Sequence, residues 1–299
     1  MSVGSGQFGG PVGDGVHSAA GAVGQALPQV GEFSVLLPVY AGDDPAALAD
    51  AFDSVTEAQS LRPAQVVVVR DGPVPPALGL TLAGLARRPG VRLVPLTGNL
   101  GLAGALNAGL AVCRFGVVAR QDADDIARPE RFRLTVPLVA AGRADVVGGA
   151  MSEFRQTPGD LGAAVRSYPT DPVGIARTAR LTNPMAHPTV VFRRSAVLAV
   201  GGYRPFHHLE DYDLWVRLLM SGAKLRNLPE VLVDYRVSDD AYRRRGGLRT
   251  LGAEWALQRE FRRGGFSAAA RWRNLAVRGG FELAPLWLRR VALGRLFRR

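Results

Sequence analysis

Two runs of consecutive apolar residues, Phe33-Ser34-Val35-Leu36-Leu37-Pro38-Val39-Tyr40 and Gln65-Val66-Val67-Val68-Val69-Arg70, begin the ordered pattern of the chain. Neither alternates with polar positions, which is the signature of parallel strands covered on both faces. The second run stops at Asp71-Gly72, a turn signal. Between the runs, Asp44-Pro45 sets an N-cap before a proline at the first helical position and predicts a helix to about Gln59. A second helix precedes the strand Val91-Arg92-Leu93-Val94-Pro95, and Gly98-Asn99-Leu100-Gly101 leads into a helix over Leu102 to Val112. A central strand follows at Val117-Val118-Ala119-Arg120-Gln121-Asp122-Ala123-Asp124-Asp125, then a helix from Pro129 to about Ala141 and a strand at Asp145-Val146-Val147-Gly148-Gly149. Strand alternating with helix four times predicts a doubly wound α/β sheet, whose ligands sit at the carboxyl ends of its strands. Tyr40, Asp71, Asn99 and Asp122 all fall at such ends.

Beyond about residue 150 the pattern is mixed. His187-Pro188-Thr189-Val190-Val191-Phe192 predicts a strand, and His208 to Leu219 a helix on which Asp211, Leu214, Trp215 and Leu218 share one face. A carboxylate on an apolar face is costly without a partner or a task. Near a helix start, however, the free N–H groups and the dipole also welcome one.

The central strand delivers three carboxylates within four positions. In extended backbone, residues two apart face the same way, so Asp122 and Asp124 converge while Ala123 turns aside. Such a pair suits Mg²⁺ or Mn²⁺ completed by substrate phosphates. A solvated acidic turn, with Asp125 capping the next helix, accounts for the same letters, and Asp-x-Asp alone does not decide between the two.

Composition narrows the class. The 299 residues, 47% apolar, suffice for a globular core. The single cysteine, Cys113, excludes a disulfide framework, fits a reducing compartment and reads as core filling. The net charge of +11 is local: residues 241–299 hold fifteen Arg and three Glu, leaving the remainder close to neutral. Residues 1–31 are Gly-rich, without the basic and apolar segments of a signal peptide, and read as disordered. The uncharged run from Leu93 to Cys113 is broken by Pro95, Gly98, Asn99 and Asn107, so it reads as strand, loop and helix rather than as a membrane span.

In order, the motifs Leu36-Leu37-Pro38-Val39-Tyr40, Val69-Arg70-Asp71-Gly72, Asn99-Leu100-Gly101-Leu102, Arg120-Gln121-Asp122-Ala123-Asp124-Asp125, His187-Pro188-Thr189 and Leu209-Glu210-Asp211-Tyr212-Asp213-Leu214-Trp215 resemble the bacterial family-2 glycosyltransferases of GT-A fold, over residues 33 to about 250. Tyr235-Arg236-Val237 with Arg244-Arg245-Gly246-Gly247 resembles the members that build capsular and exopolysaccharides. The resemblance implies an inverting transfer of sugar from a nucleotide diphosphate, a UDP-sugar and within that UDP-galactose, assisted by a divalent metal. By it Pro38, Tyr40, Asp71, Asn99, Gly101, Asp122 and Ala123 would line the nucleotide site, and Asp124 with Asp122 would hold the metal. Asp211 would be the general base, with Glu210 supporting it and Asp213 as the fallback, while His187 and Trp215 would meet the acceptor. Arg120 is read as a partner of Asp125. Where many relatives place a metal-binding histidine soon after Tyr-Arg, Ser238 stands here, and the neighbouring Asp239 and Asp240 have no spacing that puts them in the site.

The implied organisation is a Gly-rich segment (1–31), a nucleotide-sugar half (32–150), an acceptor and catalytic half of the same domain (151–240), and a basic helical tail (241–299). In the tail Arg is interleaved with Trp255, Phe261, Phe266, Trp272, Phe281, Trp287 and Phe297, which suits an anionic membrane surface better than nucleic acid when the acceptor is lipid-linked. The protein is accordingly expected to be cytoplasmic and peripheral at the inner membrane face. The rivals are a nucleotidyltransferase on a related sheet, which would be expected to carry a Gly-rich, basic phosphate loop that Val39-Tyr40-Ala41-Gly42-Asp43-Asp44 lacks, and a non-catalytic protein that binds through its tail.

Overall fold

The computed structural model describes residues 31–155, 164–237 and 248–266, together with Met1 and Pro158. The first half is the alternation expected: β1 (Ser34–Tyr40), α1 (Pro45–Ser54), β2 (Gln65–Asp71), α2 (Pro76–Leu85), β3 (Val91–Pro95), α3 (Gly101–Val112) and β4 (Val117–Arg120). A two-residue strand β5 (Ile126–Ala127), α4 (Arg131–Ala140) and the long β6 (Val146–Phe154) follow. Then come β7 (Val165–Arg166), α5 (Pro172–Ala179), β8 (Val191–Arg193), α6 (Arg194–Ala199), α7 (Glu210–Met220), β9 (Leu225–Arg236) and α8 (Leu248–Arg263).

Among the described residues the strands form one mixed sheet in the order β3-β2-β1-β4-β8-β6-β9-β5, with β7 beside β6. β3, β2, β1 and β4 run parallel, whereas β8 is antiparallel to both β4 and β6. The unbroken apolar runs have the reason expected. Val35, Leu37 and Val39 of β1 pack in the layer of α1, α2 and α4, while Leu36 of the same strand packs with Leu106 and Leu110 of α3 on the other face. The 150/151 boundary falls inside β6, so the two halves share one sheet. The fold is α/β of the GT-A type.

Three element expectations need correction. α1 stops at Ser54 rather than near Gln59, because the buried Gln59 turns back and its Nε2 donates to the Ser54 carbonyl at 2.7 Å and the Arg128 carbonyl at 2.9 Å. His187 to Thr189 is a 3-10 turn, with the strand beginning only at Val191. Pro188 has no N–H to give a ladder, and the Thr189 hydroxyl donates to the Ala186 carbonyl at 2.8 Å. The Asp-rich segment leaves the strand after Arg120: the Gln121 backbone N–H still donates to the Leu36 carbonyl at 2.9 Å, but its side-chain Nε2 donates to the carbonyls of Asp122 (3.0 Å) and Asp125 (2.7 Å) and holds the following residues in a loop. Cys113 is core filling as expected: it is buried, and burial pushes its thiol up to about 11.

The tail expectation and residues 1–31 fall largely outside the described residues, as do Ser238, Asp239, Asp240 and Arg244 to Gly247. Of the tail, α8 is described, and it packs Leu257 and Phe261 on Tyr212 and Val216 of α7. No helix among the described residues is long and apolar enough to cross a membrane.

Candidate active site

At the carboxyl edge of the parallel strands, register places Tyr40 beside Asp71, and Leu36 beside Arg120. Tyr40 is exposed, whereas Pro38 and Asp71 are buried. The Asp71 carboxylate accepts the Leu100 N–H at 2.6 Å, and the Asn99 Nδ2 donates to the Asp71 carbonyl at 3.4 Å, so the turn after β2 is tied to the loop before α3. Both turns rely on glycine. Gly72 has φ +85° and a Cβ there would come within 2.8 Å of the Asn99 nitrogen, while Gly101 has φ +73°. The result is an open rim made by Tyr40, Asn99 and Gly101 above a buried Asp71.

The acidic loop lies next to it. Although it is not a strand, Gln121, Ala123 and Asp125 are buried while Asp122 and Asp124 keep part of their surface open. Fully buried Arg131 of α4 supports it from below, its Nη1 donating to Gln121 Oε1 at 2.6 Å and its Nη2 to the Arg120 carbonyl. From the far side Arg236 of β9 donates its backbone N–H to Asp125 Oδ1 at 2.8 Å and its Nε to the Asp124 carbonyl at 3.0 Å. Arg120, expected on Asp125, instead pairs with Asp122.

Burial, followed by the charge of Asp122, pushes the Asp124 carboxyl up to about 6. No hydrogen bond from another described residue reaches that carboxylate. Two hard oxygen donors, one of them poorly neutralised, fit a divalent cation. Among the described residues no group of three or more His, Cys, Asp or Glu is placed to hold one. Asp122 and Asp124 are thus the two side chains here with the donor chemistry to hold such a cation.

Across from this loop, α7 starts with Glu210 and Asp211, both partly exposed. Asn183 Nδ2 donates to Asp211 Oδ2 at 2.5 Å, and the Tyr212 N–H donates to Asp211 Oδ1 at 2.7 Å. Burial, followed by the charge of Asp211, raises the Glu210 carboxyl to about 7. Beneath the acids, His187 Nε2 shares a 3.0 Å hydrogen bond with the hydroxyl of buried Tyr203. Burial and the nearby Arg120 hold the His187 ring well below its usual range and hence neutral.

The structure corrects three site residues. Asp213 is fully buried and ion-paired with Arg204 and Arg217, so it cannot stand in as a base. Trp215 is likewise fully buried within the α3 and α7 core and offers no surface to a sugar. His187 is buried, stacked edge-on against Trp215, and so belongs to the floor rather than the acceptor surface. Residue patterns missed Asn183, Arg131 and Tyr203. Asn183-Pro184 reads as a turn, and nothing in the letters brings it to a helix start 28 residues later.

The glycosyl transferase family 2 model matches residues 34–201. The chain belongs to that family. It is 34% identical over 256 residues to an uncharacterised glycosyltransferase of Haemophilus influenzae, covering 85% of this chain and 94% of that one. The amylovoran biosynthesis glycosyltransferase AmsE of Erwinia amylovora is 36% identical over 228 residues, covering 76% and 84%. An Escherichia coli UDP-Gal:alpha-D-GlcNAc-diphosphoundecaprenol beta-1,3-galactosyltransferase is 33% identical over 236 residues, covering 79% and 85%. Among solved structures, Staphylococcus aureus TarS in complex with UDP-GlcNAc matches with a TM-score of 0.60 at 16% identity, over 86% of this chain and 77% of that one. Membership sets the nucleotidyltransferase reading aside. The matched region of the transferase ends before Glu210 and Asp211, whereas the alignments to whole relatives run well beyond its length.

Proposed function

We propose that this transferase moves a sugar from a UDP-sugar, with UDP-galactose the first donor to test, to a hydroxyl of a lipid-linked saccharide. The transfer inverts the anomeric centre and serves cell-surface polysaccharide synthesis. One observation carries the reading: two acidic groups, Asp122 with Asp124 and Glu210 with Asp211, flank the buried Arg120, which pairs with the first and whose charge reaches the second. That arrangement suits a reaction with a diphosphate on one side and a hydroxyl to be deprotonated on the other. The names of the amylovoran and E. coli relatives and the UDP-GlcNAc bound by TarS support the donor and acceptor classes.

In this reading Tyr40, Asp71 and Asn99 hold the base and ribose, and Pro38, Gly101 and Ala123 shape the backbone around them. Asp211 accepts the proton of the acceptor hydroxyl as that oxygen attacks the anomeric carbon and the bond to the diphosphate breaks. Asn183 keeps the Asp211 carboxylate turned to the acceptor, and Glu210 lines the same opening. A divalent cation, Mg²⁺ or Mn²⁺, held by Asp124 and Asp122, supplies charge neutralisation for the departing diphosphate. Residues 250–299, through their Arg residues and the exposed Trp255 rather than the buried Phe261, bring the enzyme to an anionic membrane surface at the cytoplasmic face.

Isothermal titration of UDP, with and without Mn²⁺, against wild type and Asp124→Ala tests the reading. Metal-dependent binding in wild type, abolished by the substitution, is the expected result. No nucleotide binding under either condition overturns it.

A further inference from the structure

We propose that Arg236 is a phosphate-binding residue: the two terminal nitrogens of its guanidinium grip the diphosphate of the donor and of the departing nucleotide. This rests on the sugar-nucleotide reading above and names a protein-borne positive charge that acts beside the cation.

The side chain is fixed from three directions. Arg236 is the last residue of β9, opposite Phe154 in the register with β6. Its backbone N–H is held by Asp125 at 2.8 Å and its Nε by the Asp124 carbonyl at 3.0 Å. Its Cζ lies 4.6 Å from the centroid of the Phe154 ring, so the guanidinium rests on an aromatic face. A guanidinium carries five N–H donors, and only the one on Nε is used here. Among the described residues no acceptor meets Nη1 or Nη2, and Arg236 makes no ion pair. Its neighbours differ: Arg120 is paired with Asp122, Arg128 with Asp234 and Arg166 with Glu153.

A pre-oriented planar fork with two open nitrogens matches two oxygens of a phosphate, and little side-chain entropy is lost when they bind. The fork lies against the loop that carries the Asp124 carboxylate, since its Nε donates to the Asp124 carbonyl at 3.0 Å. A diphosphate reaching a cation on Asp124 therefore arrives within its range. If Arg236 served only to temper the acidic loop, it would act equally on ligands with and without phosphate.

The test is the affinity of UDP and of uridine, in excess Mn²⁺ and without metal, for wild type, Arg236→Gln and Arg236→Lys, with thermal melting of each. Arg236→Gln is expected to weaken UDP about 10- to 100-fold while leaving uridine within about twofold. Arg236→Lys, which keeps the charge and loses the fork, is expected to fall between. Equal weakening of UDP and uridine, or unchanged UDP binding in both variants, overturns the Arg236 assignment while wild-type UDP binding leaves the transferase reading intact. Wild type that binds no UDP overturns the reading beneath it.

Discussion

Beyond the carboxyl ends of β1, β3 and β4 the polar residues Tyr40, Asn99, Asp122 and Asp124 keep surface open, whereas within α7 polar character disappears into packing two residues after Asp211, at the fully buried Asp213. The difference follows from geometry. A strand in a doubly wound sheet ends at the same edge as its parallel neighbours, so polar residues after an apolar run are delivered to one crevice. A helix turns its residues through all directions, and which of them meets solvent depends on what packs around it. Around α7 that is α3 on one side and α5 with α8 on the other, which leaves Glu210 and Asp211 partly open at its start and buries Tyr212 to Val216.

The widest gap between the two sides is expected from Asp211→Asn. Its kcat should fall by roughly 10²- to 10⁴-fold, with UDP affinity within about twofold of wild type, measured by transfer assay and titration. Loss of UDP binding in this variant would erase the division into donor and acceptor sides.

Asp213→Ala is next, and it should register in stability. Removing the carboxylate leaves Arg217 without its ion-pair partner, with the Val200 and Gly202 carbonyls as its remaining acceptors, and weakens the pairing of Arg204; the change should cost about 2–4 kcal/mol in urea unfolding. Residual activity per folded molecule should stay close to wild type, which a true base would not allow. Trp215→Phe should cost only about 1 kcal/mol, because the smaller ring loses contacts but also removes an indole N–H that is buried without a partner. Acceptor KM should not move; a rise of tenfold would restore Trp215 to the acceptor surface.

The smallest effect is a pH dependence. Glu210 is raised to about 7 by burial and by Asp211, so the folded protein binds more protons than the unfolded chain between the ordinary Glu range and pH 7. Stability therefore falls as pH rises through that window and the loss is complete above pH 7. Glu210→Gln should flatten this slope and be more stable than wild type at pH 8 by on the order of 1 kcal/mol, read from urea unfolding at pH 5.5 and 8. An unchanged slope would mean that the start of α7 is well solvated.

By itself the sequence determined the parallel half of the sheet, the order of its helices and the edge at which the candidate nucleotide residues collect. Continuous β-branched runs such as Val66 to Val69 can be buried only when covered on both faces, and they carry that information locally. It also carried the Asp44 cap and the core role of Cys113. Only the tertiary structure decided the antiparallel β8, the turn at Pro188, and the removal of Asp213, Trp215 and His187 from the surface. It also decided the assembly of Asn183 with Asp211 and of Arg236 with Asp124 and Phe154. Those contacts join residues as far as 112 apart in sequence. A side chain's neighbours across that distance are set by how sheet and helices stack, and no local pattern of polar and apolar residues encodes them.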